Sequence, residues 1–142
     1  MSKRIVFVGI GRGEVQRELT RKYAAELMEV PYEEFKRRFS WDNLYGEEIA
    51  PRERTEDARR AESLRARLAG HERAILLGER LADALGCGGR PKYKWFPLNG
   101  CPGLLAARTP HTSRQNWNTR GRGRGEYWAP MRVFLRTVVE LY

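Results

Sequence analysis

The first strand of this chain is predicted over the stretch "RIVFVGIG" (residues 4–11). It is a short, β-branched apolar run that ends in glycines, which is typical of a buried strand leading into a turn. The next segment, "EVQRELTRKYAAELMEV" (14–30), has apolar residues at helical spacing, and Pro31 ends the helix. The chain therefore opens with a strand, a glycine turn and a helix.

The same alternation of strands and helices continues along the chain. Further helices are predicted over 32–40, 55–70, 79–86 and 127–142. Further strands are predicted over 74–78, 92–98 and 103–108, with a short one near 43–45. This alternation predicts an α/β fold with a mostly parallel sheet, and the length suits a single domain over 1–142.

Three loops of this domain are expected to lie together. Ligands of parallel sheets bind at the carboxyl ends of the strands. Residues 9–13, 41–45 and 109–125 each lie at the end of a predicted strand. We therefore expect these three loops to form the functional site.

The charge of the chain is concentrated in one part of the sequence. The formal net charge is +9, yet residues 84–125 contain no Asp or Glu and eight Arg or Lys residues. A basic patch built by one segment favours a polyanionic partner, with nucleic acid ahead of a membrane surface. An arginine-rich protein without such a partner is the alternative that charge alone leaves open.

The cysteine content bounds the redox chemistry. Cys87 and Cys101 are too few for a disulfide scaffold, a four-ligand zinc site or an iron–sulfur cluster. We therefore expect reduced thiols, a cytoplasmic location, and no metal or other cofactor. Lys3 and Arg4 precede only a short apolar run, which argues against a signal peptide, and no segment approaches transmembrane length. We expect a monomer without a membrane partner.

The glycine loop "VGIGRGE" (8–14) is the first candidate for chemistry. Gly9, Gly11 and Gly13 allow the backbone to turn tightly and to approach a ligand closely, and amides at the start of the following helix favour an anion. The G-x-G-x-G spacing differs from the dinucleotide-binding G-x-G-x-x-G. A phosphate- or base-binding loop and a plain strand–helix turn are equally compatible with this spacing.

The segment "SWDNLY" (40–45) is the second candidate. The amide of Asn43 can donate and accept hydrogen bonds at once, which suits the edge of a nucleobase. The carboxylate of Asp42 could position a water. Trp41 could stack on a base or pack in the core. An ordinary Asx turn is the alternative interpretation of this segment.

The segment "HTSRQN" (111–116), followed by "RGRGRG" (120–125), is the third candidate. His111 comes after a predicted strand and Pro110, and polar donors surround it, so we expect it to be catalytic rather than structural. The glycine/arginine part is expected to be a mobile loop that binds phosphates. Trp117 is either a wedge in the base stack or an anchor of this loop on the core.

These three segments, in this order, resemble the motifs of the uracil-DNA glycosylase superfamily. "GIGRG" (9–13) is similar to the first motif, G-x-x-P-G or a variant, and Asn43 corresponds to the base-reading asparagine of the middle motif. "HTSRQN" resembles the last motif, which is H-P-S-x-Q-N in some branches, and "RAILLGERLADALG" (73–86) resembles the strand and helix before it. The resemblance implies a three-layer α/β/α fold with a central, mostly parallel, four-stranded sheet.

The resemblance also implies an activity: a DNA glycosylase that flips a nucleotide out and hydrolyses its N-glycosidic bond to leave an abasic site. His111 would donate a hydrogen bond to the departing base, and Asn43 would read the pyrimidine edge. The base-binding set would be completed by Gly9, Ile10, Gly11 and Trp41. The phosphate-binding set would be Arg12, Ser113, Arg114, Asn116, Arg120, Arg122 and Arg124.

This sequence departs from the family pattern at three places. Gly11 stands where many members have Asp or Asn to orient the water, so we expect Asp42, ahead of Glu14, to take that role. Thr112 replaces the proline after the motif histidine. No bulky aromatic follows the glycine loop before Tyr23. We therefore expect a roomier pocket that admits a 5-modified pyrimidine, such as a hypermodified phage base, with a role in phage defence.

Two other functions are compatible with the sequence. A catalytically inactive DNA-binding module of the same fold is favoured by Gly11. A nucleotide-binding protein would use the loop 9–13 on a free ligand, although a small ligand has no need of the acid-free basic segment. Release of a base from DNA separates the first two functions, and the salt dependence of DNA binding separates the third.

Overall fold

The structure is a computed structural model that describes residues 4–142. It contains five strands: β1 (Ile5–Gly9), β2 (Ser40–Asn43), β3 (Arg73–Leu77), β4 (Phe96–Pro97) and β5 (Leu105–Thr109). It contains six α-helices: α1 (Glu14–Met28), α2 (Tyr32–Arg38), α3 (Asp57–Leu68), α4 (Glu79–Ala84), α5 (Arg114–Thr119) and α6 (Ala129–Leu141). The predicted α/β class is confirmed.

The strands form one mixed sheet in the order β2-β1-β3-β5-β4. Four strands are parallel, and β4 pairs antiparallel with β5. The prediction of four strands is therefore wrong. The count of four is what the family resemblance implied, whereas all five strands correspond to strands predicted from the local pattern; of the one predicted over 92–98, β4 retains only two residues. The connection over 98–104 is shorter than the dozen or more residues of a parallel crossover, so β4 must return antiparallel.

Helices cover both faces of the sheet because successive strand side chains point to opposite sides. Val6 and Val8 of β1 pack in one core cluster with residues of α3 and α4. Ile5 and Phe7 pack in the other cluster with residues of α1, α2 and α6. The strand β1 is buried along its whole length, which explains its unbroken apolar sequence.

The segment 109–125 is not the continuous loop that the sequence predicts, because it contains the short helix α5. Ser113 caps this helix by accepting a hydrogen bond from the backbone N–H of Asn116 at 3.2 Å. Trp117 is buried, stacks on Tyr23 with ring centroids 4.4 Å apart, and contacts Trp128. Trp117 is therefore an anchor of this segment on the core.

The glycine/arginine turn (residues 120–125) folds against the same tryptophan. The backbone N–H of Arg122 donates to the carbonyl of Trp117 at 2.8 Å, and Gly123 packs directly on the Trp117 ring. The glycines of the turn have positive φ angles of 82° to 92°. The expected mobile loop is thus a hydrogen-bonded turn with exposed arginines. Among the helices of residues 4–142, none has both the length and the apolar character needed to cross a membrane.

Candidate functional site

Backbone hydrogen bonds join two of the predicted loops at the carboxyl edge of the sheet. The backbone N–H groups of Leu44 and Tyr45 donate to the carbonyls of Gly9 and Ile10, both at 2.9 Å. At the neighbouring strand ends, Gly78 N–H donates to the carbonyl of Thr109 at 2.9 Å. His111 comes two residues after β5 and therefore lies at this edge as well. The expectation that the three loops meet here is confirmed.

A small pocket lies where these strand ends meet. It is lined by residues of all three loops and of α1: Gly9, Ile10, Gly11, Arg12, Arg17, Thr20, Trp41, Asn43 and His111. The whole predicted base-binding set and His111 are therefore brought together. Arg17 and Thr20 were missed by the sequence analysis. The cavity is about 10 Å³, room for about one water, so a larger ligand must displace side chains at its mouth.

Contacts on both sides fix the position of His111. Asn116 donates from Nδ2 to the His111 carbonyl at 2.8 Å. The next residue, Thr112, is fully buried and donates from its hydroxyl to the carbonyl of Thr20 in α1 at 3.0 Å. Gly78 has a φ of +97°, and a Cβ there would lie 3.1 Å from Cδ2 of His111. The histidine ring is therefore packed against backbone at one side of the pocket.

The His111 imidazole is neutral at physiological pH. The pKa of His111 is lowered from 6.5 to about 4. Burial is the larger cause, and the positive charge of Arg12 is the smaller one. Its Nδ1 atom is enclosed and has no hydrogen-bond partner among the described residues. An enclosed polar atom without a partner costs about 1–3 kcal/mol, which marks this ring as a group that gains from a polar ligand.

Asn43 places its amide in the same pocket. The residue is buried, and its Oδ1 accepts a hydrogen bond from Nε1 of Trp41 at 3.2 Å. Its Nδ2 donates to the carbonyl of Gly46 over a long 3.4 Å. A Cβ on Gly9 would lie only 2.8 Å from Oδ1 of Asn43. Gly9 is therefore required by the position of the amide, and one N–H of Asn43 is left for a ligand.

Gly11 has no room for the carboxylate or amide that the family resemblance predicts at this position. Its φ is +124°, and a Cβ would lie 2.8 Å from the carbonyl oxygen of Glu48 and 3.1 Å from Cβ of Tyr45. The backbone N–H of Ala50 donates to the Gly11 carbonyl at 3.0 Å. The connection between β2 and α3 therefore packs directly on Gly11.

Asp42 does not join the other predicted catalytic residue. Because strand side chains alternate, Asp42 lies on the face of β2 opposite to Trp41 and Asn43. There it forms a salt bridge with Arg67 of α3, with Nε 3.1 Å from Oδ2. Glu14, the other candidate, is exposed and does not line the pocket. The predicted water-positioning role of Asp42 is not supported by its location.

The predicted phosphate-binding residues fall into two groups. Ser113 and Asn116 use their side chains to cap α5 and to hold His111, so their role is to build the loop. The other group consists of exposed arginines beside or after the pocket: Arg12, Arg114, Arg120, Arg122 and Arg124. Within the second group, Arg120 lies over the ring of Tyr127, 4.8 Å from its centroid.

A hydrogen-bond network that the sequence analysis missed lies next to the pocket, on the side of Gly11. Tyr45 donates from its hydroxyl to Oδ1 of Asp57 at 2.5 Å, and Arg80 binds both Asp57 oxygens at 2.9 Å. The hydrogen bond from Arg80 lowers the pKa of the Asp57 carboxyl, and burial raises the pKa of Tyr45. This network holds the β2–α3 connection against Gly11.

The residues of the described chain, 4–142, include no cluster of three or more His, Cys, Asp or Glu side chains that could hold a metal ion. Comparison of the chain with protein-family models found no match, and comparison with curated proteins found none either. The function of the pocket is therefore inferred from its own geometry and chemistry.

Proposed function

We propose that this protein is a DNA glycosylase that hydrolyses the N-glycosidic bond of a flipped-out uracil-like or 5-modified pyrimidine and leaves an abasic site. One observation carries the proposal: a neutral His111 lines the same pocket as the Asn43 amide and the backbone of the glycine loop. A pyrimidine edge offers carbonyl oxygens beside a ring N–H or an amino group. A side chain that both donates and accepts is the complement of such an edge.

The charge of the reaction explains why a neutral histidine is useful. As the bond between sugar and base breaks, the base gains negative charge on its carbonyl oxygens. An imidazole N–H held in a water-poor pocket stabilises that charge without first losing contact with solvent. Arg12 contributes positive charge beside the ring, as the depressed pKa of His111 reflects. His111 is therefore the proposed hydrogen-bond donor to the departing base.

The pocket offers no carboxylate to activate the water, since Asp and Glu are missing from its lining residues. A sugar with oxocarbenium character is a strong electrophile, so a neutral water attacks C1′ as the bond to the base breaks, and the proton that the water loses passes to the departing base anion. In this mechanism the protein chiefly stabilises the leaving base. Entry of the base requires side chains that line the pocket to move, because the closed cavity is too small.

The exposed arginines of α5 and of the glycine/arginine turn supply the proposed DNA contacts. They follow His111 directly in the chain, and no acidic residue occurs between them. Arginine pairs with phosphate oxygens through parallel hydrogen bonds, and each contact releases counterions from DNA. This positive surface is the support for DNA, rather than a free nucleotide, as the ligand.

A second candidate function is a DNA-binding module that holds an extruded base without hydrolysing it. The lining of the pocket contains no carboxylate, and Glu48 and Tyr45 leave no room for a side chain at Gly11. Both features favour this alternative. It uses the same pocket and the same basic surface. The two functions differ only in whether the glycosidic bond breaks.

An abasic-site assay that is paired with a DNA-binding assay distinguishes the two functions. Oligonucleotides with one uracil or one 5-hydroxymethyluracil are incubated with wild type, His111→Gln and, as a matched control, Asp42→Asn. We expect strand scission in alkali with wild type and Asp42→Asn, and a loss of about 10²–10³-fold with His111→Gln at unchanged DNA affinity. Binding without scission by wild type supports the non-hydrolysing module, and absence of both contradicts both functions.

A further inference from the structure

A larger groove lies directly beside the pocket at the same edge of the sheet. Its volume is about 650 Å³, within the range of small-molecule sites. The groove is lined by residues of the glycine loop, of the β2–α3 connection and of α1, α4 and α5, among them Arg12, Gly13, Ile49, Arg52, Arg80 and Gln115. It shares Ile10, Gly11 and Arg12 with the pocket, so the two cavities are neighbours across one short stretch of backbone.

The wall of the groove beside this stretch carries no side chain, because it is formed by Gly13. The φ and ψ angles of Gly13 are −56° and 159°, which any amino acid can adopt. A Cβ at this position would meet only Cδ1 of Ile49, at 3.9 Å. A glycine is therefore not required by the backbone here. Its effect is to leave this part of the groove, next to the backbone that the groove shares with the pocket, free of any side chain.

The chemistry of the groove favours acceptor oxygens. Arg12 and Arg52 are exposed and have no hydrogen bond or ion pair with any residue of the described part of the chain. Arg80 is already held by Asp57, and Gln115 adds a side-chain amide. The lining residues include no Asp or Glu. Two unpaired guanidinium groups in a groove whose lining residues include no acid attract hydroxyl, carboxylate or phosphate oxygens and repel a cation.

We propose that this groove binds an oxygen-rich substituent at the 5-position of the pyrimidine whose ring occupies the pocket. The inference rests on the proposed glycosylase function and names its preferred substrate class. Once the pocket has opened, Asn43 and His111 hold the ring. A long substituent then extends past the backbone shared by the two cavities into the groove, where Arg12 and Arg52 are unpaired. A methyl group offers no oxygen to either arginine, so the groove discriminates among large substituents.

The test measures single-turnover base release from oligonucleotides that carry uracil, 5-(glucosyloxymethyl)uracil, 5-(carboxyvinyl)uracil or 5-(aminoallyl)uracil. We expect release of the glucosyl and carboxyvinyl bases at least as fast as uracil. Release of the cationic aminoallyl base should be at least about tenfold slower than that of the carboxyvinyl base, because the two guanidinium groups repel a cation and attract a carboxylate. Comparison of the release rates of the neutral glucosyl base and the anionic carboxyvinyl base separates recognition of hydroxyl groups from recognition of negative charge.

Two tyrosine variants test the location of the groove. Gly13→Tyr should fill the groove beside Ile49 and lower the ratio of glucosyl to uracil release by about 100-fold, the scale of a clash in a packed site. Gly89→Tyr is the matched control, because an added Cβ there has no neighbour within 4 Å and Gly89 does not line the groove. It should leave the ratio unchanged. Arg52→Ala should lower glucosyl and carboxyvinyl release selectively.

The outcomes separate the failure of this inference from failure of the proposed function. Release of uracil but not of the two oxygen-rich bases by wild type would overturn the groove assignment and leave the glycosylase proposal standing. An unchanged glucosyl-to-uracil ratio in Gly13→Tyr would overturn it as well. A wild-type protein that releases no base from any of the four oligonucleotides would contradict the proposed function itself, and with it this inference.

Discussion

Acidification should destabilise this protein through one histidine. His111 has a pKa of about 4 in the folded state and 6.5 as the ordinary value. Between these values the unfolded chain binds a proton at this residue and the folded protein does not. The free energy of unfolding therefore falls as the pH drops from above 6.5 toward 4, and this contribution is constant above pH 6.5.

The magnitude follows from the two pKa values. They differ by about 2.5, and each unit corresponds to about 1.36 kcal/mol, so the full loss is about 3 kcal/mol below pH 4. At pH 4.5 the loss is already about 2.5 kcal/mol. Such a change is a large part of the stability of a small domain, which is about 5–15 kcal/mol.

The assay is urea unfolding of wild type and His111→Gln at pH values between 4.5 and 8. The lowered pKa of Asp57 acts in both proteins and below pH 4, so it cancels from the comparison. We expect the free energy of unfolding of wild type to fall about 2.5 kcal/mol further than that of the variant over this range. A difference that does not change with pH would refute the burial of a neutral His111.

Three further predictions concern packing and the basic surface. Gly11→Ala should lower the free energy of unfolding by at least about 2 kcal/mol, as measured by thermal unfolding. The decrease should be larger than for Gly46→Ala, because Gly46 also has a positive φ but has open space around it. Trp117→Ala should cost about 3–5 kcal/mol in the same assay, because its ring supports α5 and the glycine/arginine turn. Replacing all three arginines of that turn by Gln should reduce the steepness of the plot of log DNA affinity against log salt by about 2–3; an unchanged slope would show that the turn does not contact phosphates.

The local sequence pattern was sufficient to predict the α/β class from the alternation of strands and helices. The apolar run before Gly9 could only be a buried strand, and the parallel order of strands then fixed which loops meet. The glycine loop, Asn43 and His111 were predicted to lie together because each comes at a strand end. These features depend on residues close in the chain, which is why the sequence revealed them.

The errors arose where distant residues decide the structure. Asp42 was expected to act in the site beside Asn43, but neighbouring side chains of a strand point to opposite faces, and Asp42 pairs with Arg67 of α3, far away in sequence. The helix α5 depends on the packing of Trp117 against Tyr23, which is also distant in sequence. The hydrogen bonds that Tyr45 and Arg80 donate to Asp57 likewise carry no local signature.

Hydrolysis at this pocket is measured by detection of a free base released from DNA. Wild type is incubated with a molar excess of oligonucleotide that contains one uracil or one 5-substituted uracil, and the free base is quantified by mass spectrometry beside the abasic strand. We predict equal amounts of free base and abasic strand, over more than one turnover, and little of either with His111→Gln. If wild type binds the oligonucleotide tightly but leaves it intact, hydrolysis at this pocket is contradicted.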